Sequence, residues 1–152
     1  MNAEVARRPG RERIFQFSVF EENKVGRLND FLLNLAHTGI HVMAICLVDT
    51  TDCTITRIVV DYPERLQNVL HEHAIAFTKS EVVAVEIATE EQIKDVTCAL
   101  TQAEINIYTI YPFLMRPNGR TGLVLRVEDN DLAQTVLQRA GIKVLTQHDV
   151  AR

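Results

Sequence analysis

Five histidines and three cysteines are the residues on which metal or nucleophilic chemistry would rest. His71 and His73 stand two apart in a helical stretch, which turns them to different faces, and His37 and His41 stand four apart with Gly39 breaking the helix between them. No metal site is expected, and no cofactor. Cys46, Cys53 and Cys98 are odd in number and lack C-x-x-C spacing. They read as reduced thiols, Cys46 and Cys98 buried as small hydrophobes and Cys53 in a turn. The carboxylates Asp49, Asp52, Glu128, Asp129 and Asp131 fall at turns and helix starts, where capping accounts for them, so no catalytic set emerges. The stretch that does invite chemistry is FEENKVGRL, residues 20 to 28. Asn23 and Gly26 there serve either an ordinary turn and helix cap or an anion-binding nest, in which backbone N–H groups at a helix start point at a carboxylate.

The chain that must position this loop has 152 residues, 47% hydrophobic and 24% charged, enough for one ordinary domain or two very small ones. Its formal net charge of −4 argues against a broad nucleic-acid surface, which needs clustered positive charge. Nothing resembles a secretory signal or an 18-residue apolar span, so a cytoplasmic protein with no membrane partner is expected. Residues 1–12, MNAEVARRPGRE, lack apolar periodicity and read as a tail outside the fold.

From Ile14 the pattern is regular. Ile14 to Phe20 alternates as a strand, with Phe15, Phe17 and Val19 on one face and Gln16 and Ser18 on the other. Leu28, Phe31, Leu32 and Leu35 make a helical stripe that Gly39 stops. Ile40 to Val48 and Thr54 to Asp61 form a hairpin around Asp49 to Asp52. Pro63 opens a second helix carrying Leu66, Val69 and Leu70, before a strand near Ile75 to Thr78. The same order then repeats: strand Val82 to Ile87; a helix with Ile93, Val96, Thr97 and Leu100; a hairpin of Asn106 to Met115 with Thr121 to Val127; a helix with Leu132, Val136 and Leu137; and strand Ile142 to Leu145. Leu28 maps to Ile93, Leu35 to Leu100 and Ile40 to Ile105, all 65 positions on, and the offset becomes 67 past the hairpin, as for Val69 and Val136. Duplication predicts an α+β protein of two ferredoxin-like βαββαβ units, over 13–80 and 81–147.

Strand, E-N-K-V-G-R-L, helix and then T-G-I-H-V into an apolar strand resembles the small-ligand regulatory ACT domain, and residues 13 to 146 resemble a tandem pair of them. Val25 stands where the family usually has Pro, and His41 where it usually has Asn. The resemblance implies two ACT-like units side by side in an eight-stranded antiparallel sheet with helices on one face. It also implies an amino acid or similar metabolite bound at the seam, one unit lending its strand-to-helix loop and the other the start of its second strand. Regulation of a partner enzyme follows, rather than catalysis.

The two halves differ at those positions. The first loop is Asn23-Lys24-Val25-Gly26-Arg27, while its equivalent, Ala88 to Gln92, has lost both Asn and Gly and carries Glu90 and Glu91, which would repel a carboxylate. At the second strand the first half offers His41 and the second keeps Asn106. The resemblance therefore implies one competent seam, of Glu21, Asn23, Lys24, Val25, Gly26, Arg27 and Leu28 with Ile105 and Asn106. An interaction module with a decayed site is the alternative. An RNA-recognition surface is disfavoured because TITRIVVD and TGLVLRVE lack its Gly-aromatic pattern. Finally, VMAICLV and VVAVEI are apolar on both faces although helices cover only one, which predicts a homodimer or larger assembly packed partly through sheet faces.

Overall fold

Period-two runs of β-branched and aromatic residues supply the strands, and stripes at three- and four-residue spacing supply the helices laid on them. The structure, a computed structural model, describes residues 12–114 and 120–151. Its first half runs β1 (Ile14–Glu21), α1 (Arg27–Thr38), β2 (Val42–Asp49), β3 (Thr54–Val60), α2 (Pro63–Glu72) and β4 (Ala76–Ile87). The second continues with α3 (Gln92–Gln102), β5 (Ile107–Pro112), β6 (Thr121–Val127), α4 (Asn130–Arg139), β7 (Lys143–Leu145) and α5 (Gln147–Val150).

The sheet order is β2-β3-β1-β4-β6-β5, with β7 also on β4, and every pairing is antiparallel. Both βαββαβ units are present, but the sheet has seven strands where eight were expected. The strands expected at Ile75 to Thr78 and at Val82 to Ile87 run together as β4, because no Pro or Gly lies between them to end the ladder. Its residues Ala76 to Val82 pair with β1, and Val83 to Ile87 pair with β6. The expected boundary between residues 80 and 81 falls inside this strand. The second strands of the two units do meet, at an antiparallel bridge between Ala44 and Phe113, where the Leu114 N–H donates to the Met43 carbonyl at 2.8 Å.

Each unit keeps its helices on one face of its own half-sheet. Phe17 and Ile58 bury against Phe31 and Leu35 of α1 and Leu66 and Leu70 of α2. In the second unit Val85 and Leu125 bury against Val96 and Leu100 of α3 and Ala133 and Leu137 of α4. Each such fully buried Val, Leu, Ile or Phe side chain contributes about 1.5 to 3 kcal/mol. The helix-free faces form a third core, in which Ile14, Ala44, Val59 and Val82 meet Tyr111, Val124 and Val150. The two-faced apolar runs are thus covered by the other half of the same chain, where the sequence had suggested a second copy. Gln16 and Ser18, on the polar face of β1, are buried in this layer at 1% and 8% exposure.

Four side chains depart from expectation. Cys98 is exposed and Cys46 only half-buried, and Ile93 and Leu132 are 39% and 43% exposed. The stripe of α3 is Val96, Ala99, Leu100 and Ala103, and α4 turns Ala133 inward, so alanines occupy places that larger residues were expected to fill. The C-terminal helix α5 was not expected. A capping box between Thr146 and Asp149 starts it, Gln147 donates its Nε2 to the carbonyls of Val60 (3.1 Å) and Asp61 (3.2 Å), and Val150 enters the third core, tying the chain's end to its first half. Arg116 and the rest of the second hairpin tip lie outside the described residues. Arg120 pairs with Glu86 at 3.4 Å while its side chain stays 58% exposed.

Candidate functional site

The loop between β1 and α1 is a short, open turn. Gly26, the residue before α1, has φ 91°, in the left-handed region that a β-carbon disfavours, and a β-carbon there would meet nothing within 4 Å. No side chain caps the helix. Arg27 gives its N–H to the Lys24 carbonyl at 3.2 Å and Asp30 gives its own to Gly26 at 2.9 Å. Between them, the N–H groups of Leu28 and Asn29 meet no acceptor among the described residues. These are orphan donors at the positive end of a helix dipole.

The equivalent turn before α3 is closed. Gln92, Ile93 and Lys94 donate to the carbonyls of Thr89 (3.2 Å), Glu90 (3.0 Å) and Glu91 (3.1 Å), and the Ala88 N–H goes to the Gln92 side chain. Losing Asn and Gly lets the second loop wind directly into its helix and consume its own donors.

Within the first loop the charges neutralise one another. Glu22 holds Lys24 at 2.7 Å and Arg27 at 3.5 Å, and the Lys24 hydrogen bond, followed by the two positive charges, draws its carboxyl below the usual range. Glu21, partly covered at the end of β1, is shifted the other way, chiefly by burial, with Arg27 opposing and Asp30 adding to the rise. Asn23 donates its Nδ2 to Asp49 Oδ1 at 2.7 Å, which ties the loop to the end of β2, and the Asn23 amide oxygen has no protein partner among the described residues. Neither Glu22 nor Asp49 was among the residues foreseen at this site. Val25 projects entirely into solvent, and Leu28 is half-buried.

At the second strands the duplication is visible in the hydrogen bonds. His41 receives the Asp61 N–H at its carbonyl (3.2 Å) and gives its own N–H to Asp61 Oδ1 (2.8 Å), and Asn106 has the same pair of bonds with Glu128 (3.0 and 3.4 Å). The His41 ring is also engaged, its Nδ1 lying 2.9 Å from Asp61 Oδ2, whereas the Asn106 side chain is exposed without a protein partner among the described residues. Ile105 is 7% exposed in the second core and its N–H caps α3 through the Leu100 carbonyl, so neither its side chain nor its donor faces a ligand. Residues 22 to 27 are exposed, between the half-buried Glu21 and Leu28. No hydrogen bond among the described residues joins them to Asn106; the link between the two second strands is the Ala44–Phe113 bridge. No group of three or more potential metal ligands occurs among the described residues, and no described helix is long and apolar enough to cross a membrane.

A search of curated protein sequences finds no match. Among solved structures the chain is similar to protein BT0572 from Bacteroides thetaiotaomicron, with 25% identity and a TM-score of 0.83 over 92% of this chain and 96% of that one. It also shares its fold with the ligand-free regulatory subunit of aspartate kinase from Thermus thermophilus, at 17% identity and a TM-score of 0.57, covering 85% of this chain and 92% of that one. A third likeness, at 18% identity and a TM-score of 0.53, is to a structure of aspartokinase alpha and beta subunits, covering 86% of this chain and 97% of that one. The family model described as an ACT domain pair matches residues 12–152. With two βαββαβ units, an open first loop and that match over nearly its whole length, the chain belongs to the ACT domain pair family.

Proposed function

We propose that this protein is a non-catalytic, cytoplasmic regulator that binds a free amino acid or a similar small metabolite where the first unit's loop, Glu21 to Leu28, faces the start of the second unit's β5 at Asn106. The observation that carries this is the contrast between the two helix starts. The N–H groups of Leu28 and Asn29 have no protein acceptor, whereas every first-turn donor of α3 is spent on its own loop. A ligand carboxylate would fill the first gap. The Asn23 oxygen and the partly covered Glu21 carboxyl would receive its ammonium.

The structures of an aspartate kinase regulatory subunit and of aspartokinase subunits, which share this fold, support a partner enzyme of amino-acid metabolism as the target. In the same proposal the protein works as a homodimer. Leu47 of β2 and Ile110 of β5 are exposed, and they are apolar surface that a second copy would cover.

A thermal-shift screen of the full chain over the twenty amino acids and common metabolites tests the idea. A true ligand at 100 times its dissociation constant adds about 2.7 kcal/mol of stability. Flat melting temperatures across the panel would favour an interaction module whose site has decayed, a reading that the occupation of the Asn23 amide by Asp49 favours.

A further inference from the structure

We propose that Arg57 and Arg126 form a second binding site, in the layer between the two half-sheets, for the carboxylate or phosphate group of a small molecule. The pleat places both there. Val59, two residues from Arg57 on β3, and Val124, two residues from Arg126 on β6, belong to the core between the helix-free faces. Arg57 is flanked in register by Ser18 of β1 and Cys46 of β2, and Arg126 by Thr109 of β5. Tyr111 connects the two. Its hydroxyl is near enough to Arg57 for that charge to oppose part of the rise that burial imposes on the phenol, and it lies on β5 two residues, about 7 Å, from Thr109.

Both arginines are half-buried, and among the described residues neither has a carboxylate within ion-pair distance. Arg13, Arg27 and Arg120 all have one, although their side chains are about half exposed or more. A chain with 20 acidic residues against 16 Lys and Arg thus leaves these two partly covered guanidiniums without a carboxylate partner among the described residues. A partly desolvated cation without a counter-charge is costly, and an incoming oxyanion removes that cost. The surrounding groups suit one. Ser18 accepts from Gln16 Nε2 at 3.3 Å, so its own hydroxyl hydrogen is left to donate. The guanidinium of Arg126 stands over the Tyr108 ring, 5.1 Å from its centroid, and its N–H groups meet no acceptor among the described residues, which leaves them to bond an oxyanion. This site stands apart from the first loop and does not depend on the function proposed above.

The test is the melting temperature of the full chain titrated with sodium phosphate and with citrate, against sodium chloride at matched ionic strength. A rise with phosphate or with citrate that Arg57→Gln and Arg126→Gln lose supports the site, phosphate assigning a phosphorylated ligand and citrate a carboxylate; a rise that the variants keep reports only the general exclusion of these anions from protein surfaces and counts against the site. Arg57→Gln and Arg126→Gln should each weaken the apparent affinity about 10-fold or more. Arg139→Gln, at the exposed end of α4, should respond as the wild type does, and Asn23→Ala should keep the full response, which separates this site from the loop. In chloride alone Arg57→Gln should melt no lower than the wild type, because it removes an uncompensated charge; a merely structural arginine would lower it. Should Arg57→Gln fail to fold, Arg57→Lys keeps the charge without the planar fork and should still weaken binding. Equal melting in all three salts, or a full response in either glutamine variant, would overturn the proposal.

Discussion

The hydroxyl of Tyr111 donates to Gln16 Oε1 at 2.7 Å, both groups buried and 95 residues apart in sequence. This bond crosses from β5 to β1, between the helix-free faces of the two units, where burial raises the phenol's pKa well above its ordinary value. Tyr111→Phe leaves the Gln16 oxygen buried without that donor and should cost about 1 to 3 kcal/mol in chemical denaturation. Adding Gln16→Leu removes the stranded acceptor and should recover part of the loss. A double variant less stable than the sum of the singles would show that the bond is not what the pair contributes.

The two units keep one backbone conformation where their residues differ. Gly39 (φ 74°) ends α1 and its counterpart after α3, Glu104, has φ 56°; Gly141 (φ 81°) follows α4 and its counterpart after α2, Ala74, has φ 50°. A residue with a β-carbon in the left-handed region costs about 1 to 2 kcal/mol, and glycine's extra freedom in the unfolded chain offsets about 0.5 to 1 of that. Ala74→Gly and Glu104→Gly should therefore each stabilise the protein by about 0.5 to 1 kcal/mol, additively because they lie in different units. A loss of stability in either variant would contradict the duplicated caps.

Phe113, which bridges to Ala44, lies against Gly122, and a β-carbon built on Gly122 would come within 2.5 Å of the Phe113 ring. The constraint here is space. Gly122→Ala should cost about 1 to 3 kcal/mol by pushing the ring off the junction of the second strands. In a Phe113→Ala background the same change should be nearly neutral, and an equal cost in both backgrounds would place the strain elsewhere.

The helix stripes, the hairpins and the duplication were legible in the sequence because apolar spacing and turn residues report local geometry directly. Leu66 and Leu70, or Leu35 and its counterpart Leu100, could be placed in cores from spacing alone. The fusion of two expected strands into β4 was not, since Lys79, Ser80 and Glu81 read equally well as a polar link or as strand. The partner of the sheets' second faces was not legible either. Gln16 and Ser18 look like a solvated face until Tyr111 arrives from 95 residues away. In the loop, Asn23 and Gly26 could be singled out by type, but the Asp49 that holds Asn23 lies 26 positions further on and had been accounted for as a turn residue.

The neighbouring carboxyls of the loop should titrate apart. Glu22 is lowered from the ordinary 4.5 by Lys24, so its contribution to stability is present above 4.5 and is lost as pH falls through its folded value. Glu21 is raised, mainly by burial, so its contribution is present below 4.5 and is lost as pH rises through its folded value. Carbon-detected NMR of the side-chain carboxyls should show Glu21 titrating above 4.5 and Glu22 below it. Lys24→Ala should return Glu22 toward 4.5 and leave Glu21 above it. Coincident titrations in the wild type would show that the Lys24–Glu22 pair does not form in solution.

If the first loop and the second unit's strand build the one competent seam, substitutions there must act asymmetrically. Asn23→Ala removes the unpartnered amide oxygen and also releases Asp49, whose freed carboxylate would repel a ligand carboxylate. Asn106→Ala removes the exposed amide on the other side. Losing a hydrogen bond to a charged group costs about 1.5 to 3 kcal/mol, so each variant should bind the ligand found by the thermal-shift screen about 10- to 150-fold more weakly in titration calorimetry. His41→Ala and Glu91→Ala alter the other seam, where the His41 ring is engaged with Asp61 and the donors of α3 are spent. They should leave affinity nearly unchanged, although His41→Ala takes a partner from a buried aspartate and should lower the melting temperature slightly. Regulation needs only that the ligand favour one arrangement of the two units by about 1 to 3 kcal/mol, and Asn106 stands immediately before β5, the strand whose far end leads to the bridge with β2. Two ligands bound per chain, or a larger loss from His41→Ala than from Asn106→Ala, would assign the site to the opposite seam.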